Sequence, residues 1–346
     1  MYYINDIRTK KDFKNISFSN YKKSEVKKKI NESIHSGKIE ESCHWTAELI
    51  CVANYEDIWD IIINYISRTI HIGNPKLPIY ISLKISEFKK ILEGGYLDNE
   101  LMMRNNDQIK TLFAEINCIL CLSKKKHNFE QIKISKNDFD LIQLTNKLHA
   151  PNTRFIEDYM KSDDPKELHM SVNEFIYHIQ QKNNYMACFW IEWIIEFETM
   201  CKKKGDKIMG STRTFAPIQQ NYYKDIIWIL WEIILEESKK KQKMCNKIIK
   251  SLLDIFSIKY TNNSKKKRRY VLYFAISLLC ENINYNIPII EEKSKIQIQH
   301  VSKTIDVIYK EIKKNEISPK TDYLNTNEKK TNTEKSIEKL NLLYSN

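Results

Sequence analysis

The sequence predicts an all-α protein, a multi-helix bundle or short α-solenoid that holds two degenerate copies of one helical unit. Three observations carry this expectation. Only 6 Gly and 7 Pro occur in 346 residues, too few for the turns of a sheet-rich chain of this size. Apolar residues recur at three- and four-residue steps through most of the chain, the period of a helix with one buried face. The most patterned stretch, residues 40–80, spells two such helices anchored by Trp45 and Trp59 and closed by Gly73-Asn74-Pro75, and a stretch around Trp190 echoes it.

Residues 1–20 show no clear period and are expected to form an extended or loosely packed arm. Helical text begins at about Tyr21, with Val26, Ile30 and Ile34 at four-residue steps, and Gly37 stops it. The next helix, about residues 39–52, puts Trp45, Leu49 and Val52 on one stripe, with Glu40, Glu41 and Glu48 expected toward solvent. A short turn at Ala53-Asn54 leads to a helix over residues 55–70 that carries Ile58, Ile62, Tyr65 and Ile66, so the pair reads as an αα-hairpin. Gly73 to Pro78 breaks the pattern, because proline cannot continue a helix and Gly-Asn accepts left-handed backbone. Further helices are expected over residues 79–92, 107–122 and 134–148, with residues 123–130 as a loop. This first helical domain spans 21–148.

Residues 149–167 are expected to be a linker, marked by Ala150-Pro151-Asn152 and Asp163-Asp164-Pro165. A second helical domain, 168–314, then repeats the first. One constant offset aligns Ile34 with Ile179, Cys43 with Cys188, Trp45 with Trp190 and Leu49 with Ile194. After an insertion, Tyr223-Lys224-Asp225-Ile226 answers Tyr55-Glu56-Asp57-Ile58, and helices follow over residues 243–258, 269–283 and 289–314. The tail, 315–346, is Lys, Asn, Thr and Glu with few apolar residues, a disordered composition. Within it Ile337, Leu340, Leu343 and Tyr344 have amphipathic spacing.

The net charge of +12 is spread over lysine clusters at predicted helix ends, where they complement the partial negative charge of helix C-termini. Lys, Asn and Ile dominate as in an AT-rich genome, which weakens the inference from basic charge to nucleic acid. The 8 Cys sit in apolar helical text, as in Cys43, Cys51, Cys188 and Cys280, the pattern of reduced, buried thiols in an intracellular protein, cytoplasmic or nuclear. No run approaches the roughly 18 uninterrupted apolar residues of a membrane span, so no membrane partner is expected.

The chemical motifs are incomplete. Gly205 to Thr212 has the glycine spacing of a phosphate loop, but Ser211 stands where the lysine belongs and a helix precedes it. Cys118 and Cys121 have metal-like spacing with His127 nearby, yet a structural zinc needs four ligands and both cysteines lie in an apolar helix. His44 lies one turn from Glu48, which suggests a surface contact. No catalytic, cofactor-binding or metal-binding constellation emerges, and a non-enzymatic protein is expected. Trp190, Trp193, Trp228 and Trp231 fall at helical spacing, as core or partner-helix residues do. The strongest candidate for contacting phosphates is the run Lys265, Lys266, Lys267, Arg268 and Arg269, which equally reads as a nuclear-targeting run. It and the insertion, residues 202–217, are what distinguish the second copy from the first.

Residues 31–83 resemble the helical oligomerisation region of the replication-associated recombination protein A family. The matching residues are Trp45, Ala47 and Leu49, then Ile58 to Ile66, then Ser67, Ile70 and Pro75. The family's acidic pair is replaced by Arg68 and Thr69, and its ATPase motifs are absent. The resemblance implies a helical collar that assembles with partners. The Trp-Thr-Ala-Glu-Leu unit and general texture also resemble uncharacterised helical proteins of large nucleocytoplasmic DNA viruses. The resulting expectation is a helical interaction or scaffold protein of such a virus, bound to protein partners or to copies of itself. The alternative is a replication or nucleic-acid-associated accessory factor with a clamp-loader-like helical collar.

Overall fold

The computed structural model describes residues 3–318, and the regular structure among them is helical. Helices α1 (Lys23–His35) and α2 (Ile39–Ile50) form the first hairpin. Gly37 turns it with φ +72°, and Gly37 N and Lys38 N donate to Ile34 O and Ser33 O. The proposed copy, α7 (His169–Gln180) and α8 (Asn184–Lys204), is turned the same way. There Lys182 takes φ +58°, and Lys182 N and Asn183 N donate to Ile179 O and His178 O. Both are Schellman-type closures, which satisfy the last carbonyls of the first helix. The constant offset seen in the sequence thus matches the turn atom for atom.

In the first half, α3 (Tyr55–Tyr65), α4 (Leu77–Glu93) and α5 (Asp107–Leu122) follow. Trp59 is buried against Phe88 and Phe113, with ring centroids 5.6 and 5.2 Å away. Trp45 is only half-buried, edge-on to Tyr21 at 5.3 Å, whereas Trp190 is fully enclosed. The helix expected over residues 55–70 changes character at its end. Residues 66–70 widen into a π-turn, whose Arg68 and Thr69 carbonyls accept from Phe129 N and Lys126 N of the following loop.

The helix expected over residues 134–148 is replaced by a 3-10 turn (Lys136–Phe139) and the five-residue α6 (Leu141–Thr145). Local side chains explain this. Asp138 takes the Ser135 N–H and hydroxyl, and Asp140 takes the Ile142 and Gln143 N–H groups, so the backbone is capped twice within six residues. The expected linker, residues 149–167, is built into the fold: Ile156 and Asp164 are buried, and Phe155 lies edge-on to Tyr177.

The second half continues with α9 (Ile227–Lys239), α10 (Lys243–Ser257), the short α11 (Ser264–Lys267), α12 (Arg269–Cys280) and α13 (Glu292–Lys313). It does not pack by itself. Helix α10 lies on α4, α12 on the π-turn, and α13 returns to cover α2 and α5. The buried Lys110 of α5 holds α13 in place, pairing with Asp306 at 3.2 Å and lying 5.1 Å over the Tyr309 ring.

The arm expected to be loose is part of the same core. Ile4, Phe13 and Phe18 are buried, and Arg8 lies 4.7 Å from both phenylalanine rings while its guanidinium binds Asp6. Ser17 and Ser19 also correct the expectation for Glu48. They donate to its carboxylate, which is buried rather than facing solvent or His44. The tail signals at Ile337, Leu340, Leu343 and Tyr344 lie outside the described residues. No described helix is long and apolar enough to cross a membrane.

Candidate functional site

Helix α8 ends at Gly205, which takes φ +92° as its left-handed cap. The chain then turns back along the start of α9, and Gly210 N and Arg213 N donate to Lys224 O and Tyr223 O. Arg213 anchors the loop from inside. Its guanidinium is buried, reaches both Asp164 oxygens at 2.8 and 2.7 Å, and donates to Glu232 at 2.7 Å. Burial alone would raise the Asp164 carboxyl, but Arg213 and two backbone N–H groups bring it down to about 2. One of those donors is Ser211 N, 2.7 Å from Asp164 Oδ1. The apparent phosphate loop is therefore already closed by a carboxylate of the protein.

This loop forms one wall of a cleft of about 630 Å³. The other walls are the last turns of α8, the segment 221–225 before α9, and residues 262–266 at α11. The insertion and the basic run, separate in sequence, thus line the same cavity. At its floor, Lys265 is buried with its ammonium 2.7 Å from Glu198 Oε1 and 2.8 Å from both Asp225 oxygens. Tyr260 donates to Asp225 Oδ2 at 2.9 Å. Burial pushes the Glu198 carboxyl above its ordinary value; Lys265 opposes that shift and Asp225 adds to it. The Tyr260 hydroxyl is raised by burial and by Asp225, so it stays a donor. The group works as a polar clamp that ties α8, α9 and α11 together.

The lip of the cleft has the opposite character. Lys202, Lys207 and Lys224 are exposed on it, and none forms an ion pair among the described residues. Lys202 has a ready explanation in the dipole of the α8 C-terminus. Lys224 does not, because it lies just ahead of the α9 N-terminus, where a cation opposes the helix dipole.

The five residues of the basic run are divided by the fold. Lys265 forms the cleft floor. Arg268 donates to Phe256 O and Ile258 O at 2.8 and 2.5 Å, and Arg269 binds Glu192 at 2.6 Å. Lys266 lines the cleft half-exposed, 3.6 Å from Glu196, and Lys267 is exposed. Only Lys266 and Lys267 keep their ammonium groups at the surface. The sequence signal for Lys207 was the insertion, residues 202–217; Lys224 lies beyond it, in the segment Tyr223-Lys224-Asp225-Ile226, and nothing local marks either lysine.

The other motif residues do not converge. Cys118 and Cys121 are buried in α5, and burial pushes the Cys118 thiol up to about 12, keeping it protonated. His127 lies instead with His71 and Phe129, whose rings are 4.5 and 5.1 Å from its own. Carboxylate and imidazole ligating atoms draw together elsewhere, at His149, Glu174 and His178. No family model, curated protein or solved structure matches this chain.

Proposed function

We propose that this chain is a helical interaction protein whose cleft between α8, α9 and α11 holds a nucleic acid strand. The observation that carries this reading is the lip of lysines, the exposed Lys202, Lys207 and Lys224 with the half-exposed Lys266, drawn from four separate segments around one cavity. Helix ends alone would scatter such charges. Phosphates spaced along a strand offer the complementary pattern, and the net charge of +12 favours their approach. Asn221, Asn262, Asn263 and Tyr222 line the same cavity and offer amide and ring contacts to bases. The buried Glu198 and Asp225 below are held by the single Lys265 ammonium as a structural clamp, which leaves the lip as the surface offered to a ligand.

The test is fluorescence anisotropy with labelled single- and double-stranded oligonucleotides over a range of salt. Changing the four lysines to Gln should weaken binding and reduce the slope of log K against log salt by about 0.7–0.9 for each phosphate that is no longer neutralised. Four Lys→Gln changes on α1 and α4, at Lys28, Lys29, Lys89 and Lys90, serve as the control. Equal affinity and slope in both variants would remove the cleft from the argument. A protein-partner reading is supported by Leu141 and Ile142, adjacent on α6 and exposed at 80% and 75%. Oligomer or complex formation abolished by changing both to Ser, measured by light scattering, would favour it.

A further inference from the structure

We propose that His149, Glu174 and His178 form a binding site for a divalent transition-metal ion, with Zn2+ the best match. Glu174 and His178 are four residues apart on α7, which puts both on one face of that helix. His149 comes from the segment that crosses this face. The ligating atoms of the three side chains all lie within 4.8 Å of one another.

His178 provides the observation that points to a ligand. It is buried at 2% exposure, and neither Nδ1 nor Nε2 has a hydrogen-bond partner. Its Nε2 is 3.3 Å from Glu174 Oε2, but out of line for a hydrogen bond. A buried imidazole with both nitrogens unsatisfied is costly, and a metal bond to one nitrogen relieves half of that cost. The His149 ring stands across from it, centroids 5.4 Å apart and planes at 71°, so the two rings can direct nitrogens to one point.

Glu174 is prepared for the same role. The His149 and Ala150 N–H groups donate to its two oxygens at 2.9 and 2.8 Å, which both holds the carboxylate and brings the His149 side chain to the site. Two backbone donors on one carboxylate favour its ionised form, the form that binds a metal. Two imidazoles and one carboxylate suit Zn2+, whose bonds of about 2.0–2.2 Å require the atoms to draw together somewhat. His149 is exposed and lies in a loop, so it can make that movement. A water on its side completes four-coordination. The ion would clip the connection between the two halves onto α7, beside the Asn173 amide that already donates to Asn152 O at 2.8 Å. Each element of the site escapes a sequence motif, because the third ligand comes from a connecting segment rather than from the helix.

The experiment uses the full chain, stripped with a chelator and titrated with Co2+ by visible absorption and with Zn2+ against a chromophoric chelator. One equivalent should bind, with tetrahedral d–d bands and no thiolate charge-transfer band. His149→Ala removes an exposed ring and leaves the core intact, which circular dichroism can check; it should lower Zn2+ affinity about 100-fold or more. No stoichiometric binding, a thiolate band, or wild-type affinity in His149→Ala would each overturn the proposal.

Discussion

Lys265 distinguishes a buried clamp from a phosphate contact. Changing it to Met keeps the length and apolar stem of the side chain and removes the charge. Glu198 and Asp225 then lose their shared ammonium, and the Asp225 side chain is only 4% exposed. Removing one partner of a buried pair costs about 3–5 kcal/mol, because the remaining charge stays desolvated without compensation. With a urea m-value of about 3 kcal/mol/M, that is a midpoint lower by about 1–2 M. Lys267→Met, two residues away and exposed, should stay within about 0.5 kcal/mol of wild type. Both variants are to be compared by urea unfolding followed by tryptophan fluorescence, alongside oligonucleotide binding. Equal midpoints for the two would refute the clamp, and weaker binding with unchanged stability in Lys265→Met would return this residue to the role expected from sequence.

Three further outcomes follow from the packing. Asp164 titrates at about 2 in the folded protein against an ordinary 3.8, so the stability it contributes with Arg213 is complete above about pH 4 and is lost as pH falls toward 2. Acid titrations of stability should lose part of that slope in Asp164→Asn. His71 is buried beside His127 and burial lowers it from 6.5 to about 4, so it folds as the neutral ring and its contribution disappears as pH falls through that range. His71→Phe should flatten stability between those pH values while keeping the ring stack on Phe129. Gly73→Ala would drive a Cβ into the Lys124 carbonyl, a backbone atom that cannot step aside, and should cost about 1–3 kcal/mol in chemical denaturation.

The sequence by itself determined the helical class, the helix stop at Gly37 and most helix starts. These depend on interactions between residues three to five apart, so the chain carries them wherever it goes. The bounds of α5 agree with the expected 107–122, since the Asn106 side-chain oxygen caps its start by accepting from the Gln108 and Ile109 N–H groups and the apolar period runs unbroken. Composition also pointed to the insertion and the basic run as the place where the second half differs. Tertiary structure alone decided what those residues do. Glu48 reads as a solvent residue until the Ser17–Ser19 arm lies across it, and Lys265 reads as a phosphate contact until α8 and α9 bring Glu198 and Asp225 to it. The cleft lip and the His149 cluster arise in the same way, from segments distant in sequence. A charge is legible in the chain, but its counter-charge and its distance from water are long-range properties, and those two quantities decide whether a lysine or histidine holds the fold or meets a ligand.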